Sequence, residues 1–303
     1  MEPNWQLARK QATIIKRARI LEKIRAFFVE QGFTEVETPH RIPANAPELH
    51  IDPVASDGWF LQTSPELCMK RLLAAGYDKL FQICRCWRAG ERGPHHLPEY
   101  TMLEWYRRDC DYYQLMEDCE QLILGLVNNK SWAWKGEKID LNIPWPRLSV
   151  ADAFSQHSST LLSEVTDVNF FSELISTKIE PALPKNKPVF LVDFPVLQGS
   201  LARTKPHNPN QVERFELYIA GLELANGFSE LTDPVEQRKR FEEEEMQRKA
   251  AGKPAGPFPD KYIKELQTLT KAAGIALGVD RLTMLLCGCE TIDDVVCFTP
   301  EQL

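Results

Sequence analysis

Three stretches of this chain concentrate residues able to do chemistry. The first runs from Phe81 to Tyr106, FQICRCWRAGERGPHHLPEYTMLEWY, with Arg88, Glu91, Arg92, His95 and His96 around a loop of Gly, Pro and His. Guanidinium and imidazole groups gathered in this way suit phosphate oxygens. On the returning run, Tyr100, Met102, Glu104 and Tyr106 share one face if the run is a strand, because strand side chains alternate. One hairpin then offers cations for phosphates, a ring for a base and a carboxylate for an ammonium. The same residues would also make an ordinary surface hairpin with a solvated loop.

The second stretch is ERFELYIAGLELANGFSELTD, from Glu213 to Asp233. Two alternating runs flank Ala220-Gly221, which predicts a hairpin. With that turn Tyr218 faces Glu223, and Glu216 is a diagonal, same-face neighbour of Glu223, roughly 7–8 Å away between Cα atoms. Two long carboxylates there can converge on one hard cation, or a basic partner such as Arg214 can meet their repulsion. Glu230 falls at the far end of the strand. In the third stretch, Gly274-Ile275-Ala276-Leu277-Gly278-Val279-Asp280-Arg281, a glycine-bearing strand enters a helix. Backbone can approach a ligand closely there, and Arg281 can lie over an aromatic or base ring. The spacing matches neither a dinucleotide fingerprint nor a P-loop.

The elements that must position these residues are legible in outline. Ile14, Ala18, Leu21, Ile24 and Phe28 form a helical stripe over Thr13–Gln31, stopped by Gly32, and Phe33–Val36 reads as a short strand ending before Pro39. Trp59–Thr63 predicts a strand leading to a helix with Ser64 as N-cap, Pro65 at its first position and Glu66 in its first turn. Tyr112–Val127 predicts a core helix, Asn128–Leu148 a Trp- and Pro-rich hairpin that packs, Ser149–Lys187 helical structure, and Val189–Phe194 a buried strand. The charge-crowded segment Val235–Lys253 reads as a solvated helix.

Composition narrows the function classes. The chain has 303 residues, 43% hydrophobic and 26% charged, enough for a sizeable core. Its 36 basic and 43 acidic residues leave a net charge of −7, which argues against a surface built to wrap nucleic acid. No run of 18 apolar residues and no signal-peptide core occur, so no membrane association is expected and the cytoplasm is the predicted location. The eight cysteines include no Cys-x-x-Cys pair, which favours reduced thiols over structural zinc.

Taken together, the helix-Gly-Phe33…Pro39 segment, the Trp87-Arg88 hairpin and the Gly278-Val279-Asp280-Arg281 ending resemble motifs 1, 2 and 3 of class II aminoacyl-tRNA synthetases. Thr63-Ser64-Pro65-Glu66, Pro98–Glu104 and Glu223–Leu231 resemble the lysine-specific branch of that class. The resemblance spans about Thr13 to Phe298 and implies an α+β fold, a central mixed, mostly antiparallel sheet flanked by helices. Only about a dozen residues precede the first predicted helix, so a single catalytic domain without the OB-fold that binds anticodons is expected, and no stable tRNA anticodon binding. This places the chain nearest to short relatives that ligate β-lysine to a lysine of translation elongation factor P. Ala276, where lysyl-tRNA synthetases typically carry Gly, supports that placement.

The resemblance implies ATP and Mg²⁺ as cofactors, a homodimer, and roles residue by residue. Arg88 would hold the α-phosphate and His96 the distal phosphates, with Tyr100 and Arg281 about adenine. Ala89, Gly90, Glu91, Leu97, Leu224 and Gly278 would complete the nucleotide site, and Arg88 and Arg281 would be the catalytic cations. Glu216 and Glu223 would carry Mg²⁺. Ser64, Pro65, Glu66, Glu104, Tyr106, Glu230 and Ala276 would form the pocket for β-lysine or lysine. The family's Arg-Asn-Glu is Arg88-Ala89-Gly90 here, with Glu91 following, and its His-Asn-Pro is His96-Leu97-Pro98. Glu91 must therefore compensate through a loop adjustment, or nucleotide binds more weakly. Two other readings follow: a lysine-activating enzyme with another acceptor, such as tRNA or a carrier, and a catalytically silent dimeric paralogue.

Overall fold

The computed structural model describes residues 4–127 and 131–303. Eight strands form the central sheet: β1 (Thr34–Glu35), β2 (Lys79–Trp87), β3 (Glu99–Arg108), β4 (Arg147–Ser149), β5 (Val189–Val192), β6 (Arg214–Ile219), β7 (Leu222–Ser229) and β8 (Ala272–Gly278). Their spatial order is β1-β2-β3-β8-β7-β6-β5-β4. The six inner strands are antiparallel to their neighbours, and β1 and β4 pair in parallel at the two edges. This is the mixed, mostly antiparallel sheet of an α+β fold that the sequence predicts.

The helices are α1 (Trp5–Glu30), α2 (Glu66–Ala74), α3 (Tyr112–Val127), α4 (Val150–His157), α5 (Val168–Leu174), the turn α6 (Glu180–Ala182), α7 (Pro234–Ala250), α8 (Asp260–Leu266) and α9 (Val279–Cys287). One sheet face carries Leu103, Trp105, Phe215, Leu217, Ala225, Ile275 and Leu277, and these join Ile24 and Phe28 of α1, Leu115 and Leu122 of α3 and Leu285 of α9 in the largest core cluster. The period-2 alternation that buries this face turns Glu104, Tyr106, Arg214, Glu216, Asn226, Gly274 and Ala276 to the other.

Several boundaries differ from expectation. The first helix begins at Trp5 rather than near Thr13, because its early turns bury Lys10 and Arg17 instead of apolar residues. Lys10 Nζ donates to Val296 O at 3.2 Å, and Arg17 pairs with Asp280 at 2.6 Å. Such polar anchors leave no hydrophobic period to read. The second helix starts at Glu66 with Pro65 as its cap residue, so Ser64 stands one position early, although its Oγ still accepts from Glu66 N at 3.0 Å. The Trp-rich segment is a hairpin of Ser131–Trp134 with Glu137–Asp140, its Trp134 and Trp145 buried; 128–130 lie outside the described residues. The charge-rich helix α7 is not wholly solvated, since Gln237, Arg240, Phe241 and Arg248 are buried.

Phe28 stacks on Phe81 at 4.9 Å between centroids and meets Phe33 and Trp105 at 5.0 and 5.1 Å. Phe28→Ala empties the junction of α1 with the sheet, and an unfolding free energy lower by about 3–5 kcal/mol is expected from urea titration.

Candidate active site

Strand register sets out the site as two rows on the polar sheet face. The first is Gln82, Glu104, Ala276, Asn226 and Glu216, each directly across from the next. The second is Leu80, Tyr106, Gly274, Phe228 and Arg214. Neighbouring strands lie about 4.8 Å apart, so Glu104 and Glu216 stand some 14 Å from each other, roughly the length of an extended small ligand. A cavity of about 670 Å³ is lined by Glu104, Ala276 and Asn226 of the first row and by Tyr106, Gly274, Phe228 and Arg214 of the second.

One end of the cavity is acidic. Glu104 accepts from Ser64 Oγ at 2.6 Å and from Tyr106 Oη at 2.7 Å. Glu66, in the first turn of α2, receives Lys70 Nζ at 2.6 Å, one helical turn on. Lys70 also pairs with Glu230, and both of those side chains are 0% exposed. Glu230 Oε1 has no hydrogen-bond partner among the described residues. Burial, with Glu66 nearby, raises the Glu104 carboxyl to about 8, and burial raises Glu230 to about 8 against the pull of Lys70. Gly274 is required where these groups meet: a Cβ there would lie 2.1 Å from the Tyr106 ring and 2.5 Å from Glu230 Oε1.

The other end is cationic. Arg88 follows β2, lies over the Tyr100 ring at 5.3 Å and reaches Glu91 at 3.7 Å. Its Nε is buried without a protein partner among the described residues. Glu91 thus folds back toward Arg88 through Gly90, whose φ of +77° lies in the left-handed region. Arg281, in the first turn of α9, donates to Glu223 O at 2.7 Å and His95 O at 3.2 Å and contacts His96 Nε2. Burial and the Arg281 charge lower the His96 imidazole below its ordinary value. Arg92, at the same loop, turns outward to Glu301 at 2.8 Å and Asp293 at 2.9 Å.

The paired acids sit beside the cationic end, away from Glu104. The hairpin turn at Ala220-Gly221 is as predicted, and Tyr218 faces Glu223. A bulge at Leu224, however, shifts the next pairs, so Glu216 faces Asn226 rather than Ala225. That extra residue keeps Glu223 on the polar face together with Asn226. Of the two partners expected for Glu216, the basic one is present: Arg214 donates to it at 2.7 Å, and Tyr218 Oη donates to its other oxygen at 2.7 Å. Burial raises the Glu216 carboxyl to about 7 against the pull of Arg214, with Glu223 adding to the rise. Glu223 keeps its carboxylate partly open to the cavity, with Arg281 at 3.4 Å. Glu216 and Glu223 share the polar face but not a row, and no group of three or more His, Cys, Asp or Glu among the described residues could hold a metal, so a divalent cation here would draw its remaining ligands from phosphates.

Ser64, Glu66, Arg88, Gly90, Glu91, His96, Leu97, Tyr100, Glu104, Tyr106, Glu223, Leu224, Ala276, Gly278 and Arg281 all line the one cavity. Ala89 and Pro65 do not: Ala89 is exposed and tied by its N–H to Asp52 O at 2.8 Å, and Pro65 caps α2. Glu216 and Glu230 stand just behind the lining, and Leu97 is buried in the apolar cluster while its edge reaches the cavity. Three groups escape sequence reading. Lys70 carried a signal, its i+4 spacing from Glu66. Glu48, on the loop before Trp59, enters the cavity near Arg88, and burial raises its carboxyl to about 7 against the pull of that guanidinium. Arg248 straps that loop to α7 by donating to Glu48 O at 2.6 Å and Ile51 O at 2.8 Å. No local pattern marks the last two.

The sequence model of the family "tRNA synthetases class II (D, K and N)" matches residues 5–302. The chain is also 38% identical over 98% of its length, and 98% of theirs, to proteins of Salmonella paratyphi B and Salmonella schwarzengrund, each named "Elongation factor P--(R)-beta-lysine ligase". A protein of the same name from Salmonella gallinarum is 39% identical with the same coverage.

Two outcomes are expected from the acidic end. Gly274→Ala drives Tyr106 and Glu230 apart and should raise the KM for an amine ligand more than tenfold while ATP affinity, read by titration, holds. Glu104 and Glu230 titrate near 8, and a protonated carboxyl cannot pair with an ammonium. Affinity for a cationic amino acid should therefore fall as pH drops from 9 to 6, as measured by calorimetry.

Proposed function

Because the chain belongs to the class II tRNA synthetase family of the D, K and N type, we propose that it activates (R)-β-lysine, or lysine, with ATP and transfers it to the ε-amine of a lysine on elongation factor P. The observation that carries this reading is the single cleft with opposite ends: Glu66, Glu104 and Glu230 at one, Arg88 and Arg281 at the other. A diamino acid carries two ammonium groups and a carboxylate, and only its carboxylate belongs near the cations.

In the first step a carboxylate oxygen of the amino acid attacks the α-phosphorus of ATP, the bond to the pyrophosphate oxygen breaks, and an aminoacyl-adenylate forms. Arg88 opposes the charge that grows on the α-phosphate, a term worth several kcal/mol in a site shielded from water. His96 meets the distal phosphates, and Tyr100 and Arg281 hold adenine. Glu216 and Glu223 would hold Mg²⁺, which supplies charge neutralisation to the phosphates when bound. In the second step the acceptor amine attacks the adenylate carbonyl, AMP leaves and an amide forms, with no covalent enzyme intermediate. Ser64 and Tyr106 keep Glu104 oriented toward the substrate amine throughout.

The protein acts in the cytoplasm, where its eight free thiols would stay reduced; among the described residues no helix is long and apolar enough to cross a membrane. It acts as a homodimer: β1 is a two-residue sheet edge, and Ile15 and Val29 of α1 are exposed. Light scattering should give twice the 34.7 kDa chain mass; a monomer would refute this.

Amino-acid-dependent pyrophosphate exchange tests the first step, and its absence with both lysine and β-lysine would favour a silent paralogue, as the lost polar groups at Ala89, Gly90 and Leu97 suggest. Transfer of labelled β-lysine to purified elongation factor P, set against tRNA, decides the acceptor. Glu230→Gln should abolish amino-acid-dependent exchange with the fold intact, because the amide keeps the shape of the side chain but cannot pair with a substrate ammonium; unchanged exchange would refute its pocket role.

A further inference from the structure

The acidic end contains a cation that belongs to the protein. Lys70 is wholly buried, yet its Nζ reaches Glu66 at 2.6 Å and pairs with Glu230, with the Phe228 ring 5.1 Å away and the Tyr262 hydroxyl beside it. Burial alone would lower the pKa of this ammonium, but Glu230 and Glu66 outweigh it and hold the group charged. Lys70 is not on the cavity wall, so it acts on a ligand only through the carboxylates.

We propose that Lys70 is the specificity-determining positioning residue of this pocket: it cancels one of three buried carboxylates and leaves a charge of minus two, matched to a substrate bearing two ammonium groups.

The count follows from what each acid touches. Glu104 is held by two neutral hydroxyls, Ser64 and Tyr106, and once ionised, as it is when an ammonium sits against it, gives its whole charge to the ligand. Glu66 and Glu230 share one ammonium, which leaves one negative charge between them. Glu230 Oε1, unpartnered among the described residues and 0% exposed, stands just behind Gly274, which lines the cavity. A substrate with one ammonium would leave one buried carboxyl without a cationic partner, whereas two ammoniums complete the set. Without Lys70 the surplus acid must take up a proton or turn away, and the pair is no longer aimed at the substrate.

The inference deepens the amino-acid reading and rests on it. The experiment is pyrophosphate exchange with β-lysine, lysine and 6-hydroxynorleucine, which keeps the chain length but lacks one ammonium, on the full protein and three variants. Lys70→Met makes the pocket minus three, Glu66→Gln makes it minus one, and the double variant returns it to minus two. The KM for the diamino acids should rise at least tenfold in each single variant, with the KM for ATP within twofold, and the double variant should recover at least threefold of that loss. A merely structural lysine would make the two changes additive, and a double variant no better than Glu66→Gln overturns the proposal. That comparison stands even where Lys70→Met fails to fold, since the double variant has balanced charges. Equal use of 6-hydroxynorleucine by the unmodified protein also overturns it. No exchange by the unmodified protein with any amino acid defeats the activation reading itself, a different result, and takes the inference with it.

Discussion

Three carboxylates and one ammonium occupy a pocket floor from which water is largely excluded, and most of the architecture around the cleft serves to keep them there. Isolated buried charges are expensive, and removing one partner of a buried pair typically costs about 3–5 kcal/mol. Lys70 offsets part of that burden from α2, and Ser64 and Tyr106 offset part from the strand–helix junction and the sheet. Burial, with the charge of neighbouring Glu66 added to it, raises the Glu104 and Glu230 carboxyls.

A second constraint is the register of β3 against β8. It sets Glu104 opposite Ala276 and Tyr106 opposite Gly274, so the residues that flank the pocket are small where the ligand must pass and polar where it must be held. One further pairing, β8 with β7, carries the row on to Asn226, and β6 carries it to Glu216. Chemistry at one end of the cleft is thereby fixed in distance to chemistry at the other. The sheet acts as a ruler in units of the strand spacing. Arg88 and Arg281 lie off this row, and their separation from the acids orients any ligand that has cationic and anionic ends.

The cationic end departs most from the family pattern, and the way the loop is rebuilt is instructive. Gly90 adopts a left-handed backbone, Glu91 returns to Arg88, and Leu97 trades a polar contact for burial in the core. Glu48 comes to the same place from a different loop, held by Arg248 on α7. The nucleotide end is thus built from segments far apart in the chain, whereas the amine end draws heavily on one strand and one helix start.

That difference decides what could be read without coordinates. Alternation placed Tyr100, Glu104 and Tyr106 on one face, the Ala220-Gly221 turn set Tyr218 against Glu223, and the glycine strand leading to Arg281 was evident, because each depends on neighbours within a few residues. Even Lys70 was written one helical turn after Glu66. The bulge at Leu224, the entry of Glu48 beside Arg88, the strap from Arg248 and the polar anchoring of the first turns of α1 were decided by the tertiary structure. They rest on contacts between segments up to about 290 residues apart, such as Lys10 with Gln302. Local sequence determines which groups are present and which way a strand or helix turns them; only packing decides which distant charges must share a dry space.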